Sequence, residues 1–102
     1  MRGGHFAELI ARQLALFEAE SGDLIQACDD AERAYDRAAR DEAEERYGEV
    51  LDLVETATDR LAELRDSYAE GLDDEVAEQY RAAFDAAAAK RFPRFAAGLE
   101  ES

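Results

Sequence analysis

Pro93 is the only proline in the 102-residue chain, so the long run before it meets no residue that forbids a helix interior. Helix formers dominate that run. Ala occurs 22 times, with Glu, Arg and Leu also abundant, whereas Val occurs three times and Ile and Thr twice each. The chain is therefore expected to be all-α and, at this length, one domain spanning residues 1–102. Punctuation falls at Gly3-Gly4, Ser21-Gly22-Asp23, Gly71-Leu72-Asp73-Asp74 and Pro93.

Between these marks the apolar residues keep helical time. Over residues 5–20, Phe6, Leu9, Ile10, Leu14, Leu16 and Phe17 form a stripe about 160° wide, and Gln13 sits inside it. Asp23 is the expected N-cap of the next segment. Leu24, Cys28, Ala31, Tyr35 and Ala38 follow at spacings of four and three. The rhythm resumes at Ala43, Tyr47, Val50, Val54, Ala57, Leu61, Leu64 and Tyr68, rotated by roughly 90° from the first series. The charged stretch RDEAEER lies between them. Asp41 and Gly48 are its only turn-forming candidates, and Asp36/Arg40, Arg37/Asp41, Arg40/Glu44 and Glu42/Arg46 stand in i,i+4 register. This spacing predicts one helix over about 23–70. A third helix begins at Asp73 or Asp74 with Tyr80, Phe84, Ala88 and Phe92 on its face, and Phe95 and Leu99 fold back as a clasp. The expected architecture is three helices, a long central one flanked by two shorter antiparallel ones. The alternative is a four-helix up-down bundle with a turn near Gly48.

Acidic residues outnumber basic ones by 26 to 12, for a net charge of −14. Such a surface repels nucleic acid and anionic membrane, so neither is an expected partner. A protein with a basic surface is the complementary one. Eleven of the twelve basic residues are Arg and one is Lys90, a profile that suits a GC-rich genome or a salt-adapted cytoplasm in which excess acid keeps proteins soluble. Cys28, the sole cysteine, falls on an apolar helix face and reads as a small core residue. The N-terminal segment is interrupted by Glu8, Arg12 and Gln13, and no stretch approaches the ~18 apolar residues of a membrane span; a cytoplasmic location is expected.

There is no Gly-rich phosphate loop, no Cys/His metal spacing and no Ser or Cys with a histidine base. His5, the only histidine, excludes a ferritin-like site built on paired Glu-x-x-His. One acidic constellation bears on chemistry. Asp41-Glu42-Ala43-Glu44-Glu45, followed by Glu63-Leu64-Arg65-Asp66, resembles the paired motifs of the MazG-like all-α nucleotide pyrophosphohydrolases. Those enzymes set Glu-Glu-x-x-Glu on one helix and Glu-x-x-Asp on the next, around magnesium. The resemblance covers under a third of the chain, and Asp41 stands where the motif has Glu. It implies Asp41, Glu42, Glu45, Glu63 and Asp66 as ligands and Mg as cofactor, since hard cations take clustered carboxylates and phosphates complete their shell. On a continuous helix Glu45 and Glu63 lie about 27 Å apart, so this site requires the turn near Gly48.

The C-terminal AKRFPRF is the one basic, aromatic cluster, and its cations belong at a helix C-terminus, where they oppose the dipole. The leading expectation is a non-enzymatic, all-helical assembly or adaptor protein without a cofactor. It would pair as a homodimer through apolar faces carrying Phe6, Leu9, Ile10, Gln13, Leu16, Phe17, Ile25, Leu51 and Leu53. The alternatives are a MazG-like metal-dependent hydrolase and an acidic regulator or decoy that binds a basic partner.

Overall fold

A computed structural model describes residues 4–99 of the protein, and those residues are helical without strands. The order is α1 (Gly4–Glu20), α2 (Gly22–Arg37), a short 3-10 turn (Arg40–Glu42), α3 (Ala43–Ala69), α4 (Asp74–Arg91) and α5 (Pro93–Ala96). The long helix is thus α3, with 27 residues.

The single helix expected over 23–70 is not formed. Ala38 and Ala39 are extended, with ψ of 142° and 159°, and the chain reverses through residues 38–42. Tyr35 and Tyr47 consequently meet, their ring centroids 5.4 Å apart; one straight helix would hold them about 18 Å apart. The turn lies before α3 rather than near Gly48, which is inside it. Magnitudes explain the reversal. Four exposed i,i+4 ion pairs are worth about 1–2 kcal/mol together, whereas closing α3 on α2 helps to bury Cys28, Val50, Ala57 and Leu61. A side chain such as Leu61 contributes roughly 1.5–3 kcal/mol when fully enclosed. Burial wins, and Arg46 pairs with Glu49 instead of Glu42.

The punctuated site at Ser21-Gly22-Asp23 behaves in the opposite way. Only Ser21 leaves helical geometry, with φ −109° and ψ 22°. Helical-type bonds bracket it, from Ser21 N–H to the Phe17 carbonyl and from Ile25 N–H to that of Ser21. One residue so held bends a helix but cannot reverse it. α1 and α2 form a kinked rod, and α1 does not fold back on α2. The longest molecular dimension is 51 Å, the length of about 34 helical residues; an unbroken 23–70 helix would need about 70 Å. Asp23 falls within the first turn of α2 instead of capping it.

α3 runs back along this rod, and α4 then lies against both α1 and α3. Asp73 precedes α4, and Asp74 and Glu75 occupy its first turn, where they favour the positive helix end. Tyr80 is the junction of the three helices. Its ring lies 5.4 Å from Phe6 and 4.8 Å from Tyr68, and its hydroxyl donates to Gln13 Oε1 at 2.7 Å. This partner accounts for a glutamine inside the apolar stripe of α1. Pro93 ends α4 at Arg91 and starts α5, and Phe95 and Leu99 fold back into the core as the expected clasp.

Gly48 gives a direct test of the turn position. A Cβ there would meet nothing within 4 Å, and glycine inside a helix costs about 0.5–1 kcal/mol relative to alanine. Gly48→Ala is expected to raise unfolding stability by that amount in urea titrations. A loss of stability would place Gly48 outside a helix.

Candidate functional site

Two Arg-centred networks hold the elements around α3 and α5. Arg65, on α3, has a side chain only 5% exposed. Its Nε donates to Asp66 Oδ1 at 2.9 Å, and its Nη1 donates to Asp85 Oδ1 at 2.9 Å and to the Leu99 carbonyl at 3.4 Å. Arg81 joins at Asp66 from α4. The hydrogen bond from Arg65 holds the Asp66 carboxyl below the usual range despite opposing burial, and Arg81 adds to the effect. The second network joins α5 to α2, where Arg94 donates to Asp29 at 2.7 Å and to Glu32 at 2.8 Å. Beside it Cys28 is fully enclosed. Burial pushes its thiol up, Arg94 opposes this, and Glu32 and Asp29 reinforce it. Burial also pushes the Tyr80 phenol up to about 12, against the bond to Gln13. Among the described residues every buried polar side-chain atom has a partner.

The carboxylates of the acidic constellation are dispersed. Asp41 and Glu42 lie in the hairpin turn, while Glu45 and Glu63 share α3, about 27 Å apart. Asp66 is engaged by Arg65 and Arg81. The turn that does form lies at the start of the first motif and not between the two, so it does not set them face to face. Among the described residues no three His, Cys, Asp or Glu side chains are grouped to hold a metal ion.

The nine residues expected at an interface divide. Ile10 and Phe17 are enclosed in the chain's own core, and Phe6, Leu9, Ile25 and Leu53 pack half-buried against it. Gln13 is half-buried on Tyr80. Leu16 and Leu51 remain 50% and 49% exposed. Each borders a groove along α3. The α1–α3 groove is lined by Leu16, Leu64, Glu20, Glu63 and Arg60, whose Nη1 donates to the Ser21 hydroxyl at 3.2 Å. The α3–α5 groove is lined by Leu51, Val54, Ala97, Glu55, Asp59 and Arg94. Their volumes, about 440 and 530 Å³, suit one face of a docked helix as well as a small ligand, so the lining decides. The first carries charges of both signs over an apolar floor. In the second, the cation is already consumed by Asp29 and Glu32.

Reading by residue type missed the acidic wall of the second groove and both Arg networks. A signal was present: Thr58 and Arg65 fall at helical spacing within the series Val54, Leu61 and Tyr68, which marks them as inward-facing. Comparison with protein-family models, with curated proteins and with solved structures returns no match.

Proposed function

We propose that the protein is a non-enzymatic helical assembly module of the cytoplasm that pairs with a second copy through its α1–α3 face. The supporting observation is the apolar surface left open there: Leu16 is 50% and Tyr68 39% exposed, with Leu64 half-buried between the two helices. Leu9, seven residues before Leu16 and on the same side of α1, extends the strip. Patches of this kind usually mark an interface. The rim is compatible with a copy of itself, because Arg60 lies among Glu20 and Glu63; a twofold pairing that sets Arg60 of one protomer against these acids of the other makes the same contact twice.

Light scattering in low and high salt tests this. The expected result is a dimer that tightens with salt, because two chains of −14 repel and added ions screen them. Leu16→Asp is expected to give a folded monomer. A wild-type monomer at micromolar concentration in both conditions removes the proposal.

A further inference from the structure

The α3–α5 groove is independent of that face and differs from it in sign. On α3, Tyr47, Leu51, Val54 and Thr58 recur at i, i+4, i+7 and i+11, the spacing of one helical stripe. α5 covers only its end. Thr58 Oγ1 donates to the Phe95 carbonyl at 2.8 Å, and Phe95 is buried beneath it. Farther along, Val54 is half-buried, while Leu51 and Tyr47 are 49% and 48% exposed. Glu55 and Asp59, one turn apart, wall the open part and have no partner among the described residues.

A neighbouring element shows the chemistry in use beside this stripe, with its cation taken by α2 and not by the groove wall. α5 is a single turn with a cation and an aromatic ring: Arg94 grips Asp29 and Glu32 of α2 while Phe95 enters the core. We infer that the open continuation of the stripe is a docking groove for a basic amphipathic helix of another protein, its apolar face on Leu51 and Val54, with Tyr47, whose ring rests on Tyr35 of α2, at the rim, and its cations against Glu55 and Asp59. A helix-in-groove contact uses this i, i+4, i+7 anchor pattern. Charge selects the occupant. A second copy paired through the same groove would set Glu55 and Asp59 near their own equivalents with no available Arg between them, and like-charge juxtaposition is strongly unfavourable.

The test uses a fluorescent model helix built from leucine and lysine, with a leucine–glutamate helix of identical pattern as control, and reads anisotropy against the full chain. The leucine–lysine helix is expected to bind once per chain, more weakly as salt rises, and the glutamate helix not at all. Leu51→Ser, and separately Glu55→Lys with Asp59→Lys, are expected to weaken binding roughly tenfold or more. Glu75→Lys with Glu78→Lys, an equal charge change on α4, is expected to alter it by less than about threefold. All altered side chains are exposed, and circular dichroism checks that each variant keeps its helices. Equal weakening by both charge pairs, or no effect of Leu51→Ser, would reduce the interaction to general attraction and overturn the proposal. So would a homodimer that Leu51→Ser dissociates, or no binding. Leu16→Asp is expected to leave peptide binding intact, which separates this groove from the self-pairing face.

Discussion

Phe84→Ala is expected to lower the free energy of unfolding by about 3–5 kcal/mol, the range for removing a fully enclosed aromatic ring. The position supports the upper part of that range. α4 buries four residues, Ala77, Tyr80, Phe84 and Ala88, and two of them are already alanine. Phe84 and Tyr80 therefore carry most of the apolar anchorage of α4, and Tyr80, whose ring lies 6.0 Å from Phe84, is tied to Gln13 through its hydroxyl and does not move into the vacated space. Domains of this size have about 5–15 kcal/mol of stability in total, so the variant should be marginally stable. Urea unfolding should give a lower midpoint with an unchanged slope. A loss under about 1.5 kcal/mol would mean that α4 does not pack on α1 and α3 as described.

Arg65→Met is expected to be the next most damaging change. Methionine keeps much of the side-chain volume, so the effect isolates the charge. Breaking a buried ion pair costs about 3–5 kcal/mol when the remaining charge is sealed from water. Here Asp66 and Asp85 are 42% and 26% exposed, and water recovers part of that, leaving about 2–3 kcal/mol. At 4–8 °C per kcal/mol this is a fall in Tm of roughly 10–20 °C. Arg65→Met with Asp85→Asn should recover some of it. Acidity supplies a second readout. The carboxyl of Asp66 is held below its unfolded value by Arg65, so its contribution is complete above about pH 4 and disappears as pH falls through the folded value. Removing Arg65 should flatten that acid limb. A Tm within about 3 °C of wild type would show that solvent screens the network.

Helix content and most helix ends follow from residue type alone. The single proline, Asp73-Asp74 and the periodic faces of α1 and α4 locate those elements within a residue or two. The hairpin does not follow in this way. At Ala38-Ala39 the chain turns through two of the best helix formers, because local preference there is worth tenths of a kcal/mol and burial of Cys28 and Leu61 is worth several times more. The 90° phase change between the stripes was the trace of this break, and it is equally compatible with a straight helix that changes neighbours. Conversely, Ser21-Gly22-Asp23 has the composition of a turn but remains nearly helical, because Phe17 and Leu24 on either side both face inward. The candidate grooves were partly legible through Leu16 and Leu51. Their charge was not, since it depends on Arg94 arriving from α5 and being neutralised by α2.

The bend at Ser21 makes α1 a lever. Its 17 residues give an arm of about 25 Å, so a change of about 10° at the pivot carries the far end through about 4 Å. α5 lies across that pivot as a splint: Phe95 meets Phe17 on one arm, its ring 6.2 Å away, while Arg94 holds Asp29 and Glu32 on the other. The angle of the rod, and with it the alignment of Leu9 and Leu16 along the α1–α3 groove, is therefore set at two places: by the seating of α5 at the pivot, and by Tyr80 of α4, which holds Phe6 and Gln13 farther along the arm.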